Sequence, residues 1–374
     1  MKFSTSQSGF QKALHLVASV VPGKSTLPIL ETVLVEVSPA GEVTLTATDL
    51  DISVRVQRAG EVEEGGRVAV AARRLHDVVR ELRDAEISLT GEESGLTLRC
   101  ASGRYRFVGA PVDDFPGLPE IPDQKPLQVD PAKMERMVRQ TLYAVSTDET
   151  RPELTGLFLS ISDDQMSMVA TNGHRLARAS LSGAFKQKRE MLLPPKALNQ
   201  LLRLIGDADG PLEISGSKNY ARIRIGSTQL YSRLLEGPFP DYEKVIPKSN
   251  PLRAVVRRED LLASLRRILV LSDSQTRQVK IMLEPGRLQI MAQYQGAGEA
   301  QEELPVDYDG TPLTIGYNGG YLLEMLKTFD GERVEMAFQS AVSAGLFKPA
   351  ELQPDEDLLC LVMPLRLPGD DAAG

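Results

Sequence analysis

The chain says one thing three times. Ala47-Thr48-Asp49, Ala170-Thr171-Asn172 and Ala292-Gln293 each close an alternating apolar run, at intervals of about 122 residues. An independent marker keeps the same step: Val79/Leu82, Leu201/Leu204 and Leu323/Leu326, each pair inside a segment of helical periodicity. Two unrelated markers on one period define about three copies of one domain. Function is then to be sought in how the copies are arranged. Proline-punctuated stretches, Ile121–Pro126 and Ile246–Pro251, fall where the period puts boundaries. They give domains 1–125, 126–250 and 251–374, the last with a short C-terminal tail.

Each copy reads as two similar halves. In the first, Lys2–Ser6 is strand-like, 7–20 has helical periodicity, and Val33–Val37, Val43–Thr48 and Ile52–Gln57 alternate as half-buried strands. The second half repeats the order: strand Arg67–Ala71, helix 72–83, then strands Ile87–Thr90, Leu96–Cys100 and Tyr105–Val108. Six such units predict six helices, at 7–20, 72–83, 131–143, 195–205, 257–270 and 318–329, and about two dozen strands. The fold class is α+β, with antiparallel sheets and two helices per domain gathered on one face.

Several function classes are excluded early. Cys100 and Cys360 lie far apart, and the three histidines (His15, His76, His174) are not at ligand spacing, which argues against a disulfide framework or a metal site. The N-terminal MKFSTSQSGF has no continuous apolar segment, and Leu358–Leu365 is too short to span a bilayer. A cytoplasmic protein is expected. Gly23-Lys24-Ser25-Thr26 resembles the end of a phosphate-binding loop. However, Ala18 stands where the first glycine belongs, and Pro28 blocks a following helix. Asp49 and Asp51 lack the glycine and distal glutamate of a calcium loop. With no nucleophile elbow or zinc-protease motif either, no catalytic constellation and no cofactor are expected.

Net charge is −8, unusual for a nucleic-acid binder. The distribution of that charge points the other way. The first five predicted helices are each net positive, through Lys12, Arg73, Arg74, Arg80, Arg83, Lys133, Arg136, Arg139, Lys196, Arg203, Arg257, Arg258, Arg266 and Arg267, and the sixth is neutral. A basic helical face on an acidic β body suits a phosphate backbone bound without regard to sequence. Three domains do not close a circle easily, but a symmetric dimer supplies six. Gly103-Arg104-Tyr105-Arg106-Phe107 is a basic strand, and Gly298-Glu299-Ala300-Gln301-Glu302-Glu303 an acidic one, suited to continue a sheet across a subunit boundary.

Along its whole length the chain resembles the bacterial DNA polymerase III beta subunit family, the replicative sliding clamps. The motifs are Thr26-Leu27-Pro28-Ile29-Leu30, Thr48-Asp49-Leu50, Ala170-Thr171-Asn172-Gly173-His174-Arg175-Leu176-Ala177, Phe239-Pro240-Asp241-Tyr242 and Val362-Met363-Pro364-Leu365-Arg366-Leu367. The resemblance implies a DNA-clamp fold and a head-to-tail homodimeric ring around double-stranded DNA. The ring would confer processivity and be loaded by an ATP-dependent clamp loader. The resemblance also implies a pocket for short peptides from the DNA polymerase III alpha subunit, the clamp loader, other polymerases and repair proteins. That pocket would involve Leu154, Thr171, Gly173, His174, Arg175, Leu176, Pro240, Val245, Asn318, Tyr321, Val342, Val362, Met363, Pro364, Leu365 and Arg366. An apolar slot with an adaptable methionine suits many partners. DNA contacts would fall on Lys24, Arg73 and Arg74, with the helix cations Lys133, Arg136, Arg139, Lys196 and Arg203. The dimer edge would use Arg104, Arg106, Phe107, Val270, Leu271, Glu299, Glu302 and Glu303.

The chain departs from the family pattern at Pro152 and Glu153, where the best-known member has two tyrosines, and at Lys244 and Thr276 on the pocket rim. A tail, Pro368–Gly374, runs past the usual C-terminus. Its Asp370 and Asp371 are expected to be disordered and to repel acidic peptides mildly. The residues admit two readings from different classes: a non-enzymatic DNA clamp, or a monomeric peptide-binding adaptor that never encircles DNA. Complementary edges at Arg104/Arg106 and Glu299/Glu302/Glu303 separate them, since an adaptor has no use for such edges. A hydrolytic enzyme on a β-rich scaffold has no supporting residue set.

Overall fold

The structure, a computed structural model, describes residues 1–92, 94–122, 125–206, 210–294 and 298–367. The C-terminal tail therefore lies outside the described residues. Six helices occur among these: α1 (Gln7–Ala18), α2 (Ala72–Glu81), α3 (Pro131–Leu142), α4 (Pro195–Ile205), α5 (Arg258–Ile268) and α6 (Gly319–Leu326). The strands form antiparallel sheets of 13, 8 and 4 strands. Local chemistry places the helices. Ser6 caps α1 by accepting from the Gly9 N–H, and Asn318 caps α6 by accepting from Gly320 and Tyr321. Apolar residues recur every three or four positions, as Phe10, Ala13, Leu14 and Val17 on α1 or Leu261, Leu265 and Ile268 on α5, and all are buried. Each such leucine stabilises the fold by about 1.5–3 kcal/mol.

The chain divides into two compact units. The first holds residues 1–135 and 193–234, and the second 136–192 and 235–374. In the first unit the 13-stranded sheet is continuous because strand Ile52–Ala59 pairs with Thr228–Arg233, Val54 opposite Leu230. The second unit has an analogous seam. Strand Arg175–Ser182 pairs with Glu356–Val362, Ala177 opposite Cys360. Each seam joins the strand after an Ala-Thr-Asp/Asn turn to the last strand of the following repeat.

Two strands at the corresponding places have no such partner among the described residues. Gly298–Pro305 is the edge of the four-stranded sheet. Gly103–Ala110 pairs along its length with Gly95–Cys100, but on its other side only through Gly109 and Ala110. One strand, Glu61–Glu64, was not expected from the sequence. It is short, acidic and at the edge of its sheet, beside Lys2–Ser6.

In the first unit α1 packs on α2 with the His15 and His76 rings 5.6 Å apart. Burial, then the charge of His15, holds His76 below the ordinary histidine value of 6.5. Asp77 opposes that shift, and Arg80 adds to it. A base whose pKa is depressed by folding contributes stability above its unfolded value and loses it as pH falls through the folded one. The thermal midpoint of the wild type is expected to fall from about pH 7 to about pH 5, and that of His76→Gln to fall less over the same range. Equal losses in the two proteins contradict this account.

Candidate functional site

The chain builds one turn twice and gives the copies different side chains. In the second unit Asn172 N–H donates to the Arg175 carbonyl, and the Thr171 hydroxyl donates to the same carbonyl at 2.7 Å. Gly173 N–H donates to Thr171 Oγ1, and the His174 and Arg175 N–H groups donate to Asn172 Oδ1 at 3.0 Å. In the first unit Thr48, Asp49, Leu50, Asp51 and Ile52 repeat every one of these bonds. The third position of the turn has positive φ in both, +86° at Gly173 and +81° at Leu50. Glycine adopts that conformation without strain; leucine does not. The seam is copied too, since Met363 N–H donates to the His174 carbonyl and Arg233 N–H to the Asp51 carbonyl.

The difference lies one residue past the turn. In the first unit Ser53 is buried and its hydroxyl donates to Thr48 Oγ1 at 2.7 Å. In the second unit the equivalent is Leu176, which clusters with Val169, Ala344 and Leu361. Phe158, Phe239, Tyr242, Leu346 and Leu359 pack against this cluster only partly buried, with the Phe158 and Phe239 rings stacked at 4.9 Å. Close in sequence to its members, large apolar side chains remain exposed: Val245 by 55%, Val342 by 80% and Met363 by 41%. An apolar floor with exposed apolar walls is a slot for an apolar ligand.

Some of the expected slot residues lie on elements that meet at this place. Thr171–Leu176 and Val362–Met363 meet at the seam, Arg175 opposite Val362. Leu365 bridges Gly316 at the edge of strand Leu313–Asn318, and Gln278 donates to the Arg366 carbonyl at 2.7 Å, which holds Pro364–Arg366 in place. Pro240 and Val245 are exposed on the segment that carries Phe239 and Tyr242. Leu154 is buried, its carbonyl accepting from Ser146. The Asn318 side chain is engaged in capping α6. The ring-and-leucine floor (Phe158, Phe239, Tyr242, Leu346, Leu359, Leu361) was not assigned to the site from the sequence. Strand alternation in register with Leu176 is the signal that would have found Phe158, Leu346, Leu359 and Leu361, while Phe239 and Tyr242 lie outside the strands.

Arg175 is only 9% exposed, and its guanidinium is committed inside the unit. It donates to Glu324 Oε2 at 2.6 Å and to the Tyr143 carbonyl, and lies over the rings of Tyr143 and Tyr321 at 5.2 and 4.5 Å. It therefore fixes Tyr321 of α6 against the turn, a brace with two cation–π faces. Beneath it the Tyr143 hydroxyl donates to Cys360 Sγ at 3.3 Å, and burial pushes the Cys360 thiol up to about 12. That thiol is structural rather than reactive.

The expected DNA cations fall into two groups. Lys24, Arg74 and Arg203 are exposed and have no acid partner among the described residues. Lys196 is ion-paired with the nearly buried Asp49, and Arg136 with Glu356 at 3.1 Å, so much of their charge is neutralised locally. Arg73 is exposed and donates to the Val21 carbonyl, bracing the chain ahead of Lys24. Lys133 is half-buried and Arg139 exposed. At the edge strands Arg104, Arg106 and Val108 are exposed, as is Val270, while Phe107 is nearly buried and Leu271 half-buried. Glu302 is gripped by Arg267 through two bonds of 2.5 and 2.6 Å, which holds its carboxyl below the usual range. Glu303 lies 3.6 Å from Arg287, and Glu299 has no ion pair among the described residues. Those residues include no group of three metal-ligating side chains, and no helix among them is long and apolar enough to cross a membrane.

Three family models of the DNA polymerase III beta subunit match the chain. The N-terminal domain matches residues 1–119, the central domain 128–241 and the C-terminal domain 243–366. The beta sliding clamp of Pseudomonas putida is 33% identical over 372 residues, covering 98% of this chain and 100% of that protein. The beta sliding clamp of Synechococcus elongatus is 32% identical over 376 residues, with the same coverage. The crystal structure of a DNA polymerase sliding clamp from Pseudomonas aeruginosa matches with a TM-score of 0.93 at 32% identity, over 98% of this chain and 100% of that one. A DnaN sliding clamp from the same organism, bound to griselimycin, also gives a TM-score of 0.93. Repeated α+β units joined edge to edge, with an apolar slot at one seam, are the architecture of a replication clamp. The chain belongs to the DNA polymerase III beta subunit family, and is a sliding clamp with no catalytic activity of its own.

The Arg175 brace has a measurable strength. Glu324→Ala removes one acceptor from a buried guanidinium, although Glu324 itself is half-exposed. A loss of about 1–3 kcal/mol in urea unfolding is expected, with Glu324→Gln losing less. An unchanged midpoint in both variants contradicts the brace.

Proposed function

We propose that two copies of this chain close head to tail into a ring around duplex DNA and hold the replicative polymerase there. The repeated seam carries this reading. Two turn-following strands, Ile52–Ala59 and Arg175–Ser182, each take the last strand of the next repeat as a neighbour. The third, Gly298–Pro305, has no such neighbour among the described residues, and Gly103–Ala110, the last strand of the first repeat, is paired on its open side only through Gly109 and Ala110. A second copy supplies both partners, and the two-fold operation that fills one vacancy fills the other. Charge agrees: Arg104 and Arg106 on one edge, Glu299 on the other, with Val108, Val270, Leu271 and Phe107 as the apolar seam. This is the three-domain division 1–125, 126–250 and 251–374 read as six ring segments.

Lys24, Arg73, Arg74, Lys133, Arg136, Arg139, Lys196 and Arg203 are the cations assigned to the phosphate backbone. Lys24, Arg74 and Arg203 contribute most, because they are unpaired. Topology rather than affinity retains the ring, so attraction can stay weak enough to slide. An ATP-dependent loader would open the ring, in the bacterial cytoplasm. The slot around Leu176 would dock peptides of the polymerase alpha subunit, the loader and repair proteins. That a relative is solved with griselimycin bound supports a ligand-binding role.

The test is retention on DNA. Ring loaded onto nicked circular plasmid with its loader and ATP is expected to stay, and to be lost rapidly once the plasmid is cut. Equal loss from circular and linear DNA contradicts the ring. A paired mutational test separates the two surfaces. Phe107→Ala with Leu271→Ala should lower the sedimenting mass from two chains to one and leave peptide binding intact. Met363→Ala with Leu176→Ala should do the reverse. Damage to both properties by each pair contradicts separate surfaces.

A further inference from the structure

The second unit carries a recess of about 320 Å³ beside the slot. The two share floor, since Leu346 and Leu359 pack against the Leu176 cluster and also line the recess. They lie one after the other on one sheet face. Leu176 and Arg178 are two residues apart on their strand, and Leu361, Leu359 and Asp357 alternate likewise on the neighbouring one. A chain lying in the slot can therefore run on into the recess.

Its chemistry differs from the slot's. Arg178, Lys248, Arg253 and Lys348 line it against two carboxylates, Glu335 and Asp357, which leaves a positive excess in a chain whose net charge is −8. Arg178 is already satisfied, 3.0 Å from Asp357 and 3.3 Å from Glu243. Glu335 serves both Arg253 at 2.9 Å and Lys348 at 3.7 Å, and Lys248 has no acid partner among the described residues. Asn250, 8% exposed, also lines the recess. Its Nδ2 donates to the Ala337 and Ala344 carbonyls, and its Oδ1, the remaining acceptor, has no hydrogen-bond partner among the described residues. Buried acceptors in that condition call for a donor.

We propose that this recess receives an acidic residue flanking the apolar anchors of a docked peptide. The peptide's carboxylate meets Lys248, Arg253 and Lys348. The inference rests on the reading of the Leu176 slot as a peptide site. It adds a selection for acidic flanking sequence, and an electrostatic component of partner affinity that added salt weakens.

Fluorescence polarisation tests this with a labelled apolar pentapeptide of two leucines and a phenylalanine. The same peptide is also extended at either end by two aspartates or by two asparagines. One aspartate-extended form is expected to bind about tenfold tighter than its asparagine counterpart at low salt. The advantage should shrink at high salt and vanish in Lys248→Gln with Arg253→Gln, checked for folding by circular dichroism. Equal affinities for the two extensions, or a preference that survives in the double variant, overturn the proposal. If the unextended peptide binds the wild type but not Leu176→Ala with Met363→Ala, the slot reading stands whatever the extensions show. If no peptide binds at all, the slot reading falls and the recess assignment falls with it.

Discussion

A strand edge is a row of unpaired N–H and C=O groups, and the whole architecture depends on where such edges are satisfied. Within this chain two are filled by the strand of a later repeat. Thr228–Arg233 lies on Ile52–Ala59, and Glu356–Val362 on Arg175–Ser182. These seams tie together segments more than a hundred residues apart, at a cost in loop closure that the apolar floor offsets. The edges assigned to ring closure, Gly103–Ala110 and Gly298–Pro305, carry opposite charges, and Val108 is exposed on the first. In the proposed ring, two chains closing on these edges satisfy both.

The same seam explains why two copies of one turn present different surfaces. The turns at Thr48 and Thr171 share every backbone-directed hydrogen bond. Immediately past the turn stands Ser53 in one copy and Leu176 in the other. A hydroxyl satisfied by Thr48 closes the first copy with polar bonds. A leucine facing Leu361 and the stacked pair Phe158/Phe239 opens the second as a greasy slot, with Met363 at its rim as an adaptable wall. Arg175 then does in the second unit what the buried, apolar Ile52 cannot do in the first. It reaches across to Glu324 and fixes Tyr321.

Much of this was legible in the sequence because it is local. The periodicity at 72–83 and 195–205 places α2 and α4 within two residues of their observed ends, and the alternation at Ile52–Gln57 extends only to Ala59. The repeated markers at Thr48 and Thr171 turned out to be the same hydrogen-bonded turn. The rest depends on pairs distant in sequence, which no periodicity encodes. Lys196 and Arg136 read as free helix cations until Asp49 and Glu356 are found beside them. Glu302 reads as a free edge charge until Arg267 is found holding it. Glu61–Glu64 was missed because a short acidic edge strand has the composition of a loop. The compact units cut the middle repeat because sheet continuity, rather than repeat length, decides which strands cohere.

The most direct measurement is amide hydrogen exchange monitored against protein concentration. Intermolecular pairing of the two open edges predicts that protection rises with concentration in Gly103–Ala110 and Gly298–Pro305, while the internal seams at Ile52–Ala59 and Arg175–Ser182 stay protected throughout. Exchange at both edges that stays fast and independent of concentration, in a protein sedimenting as one chain, would contradict the ring at its foundation.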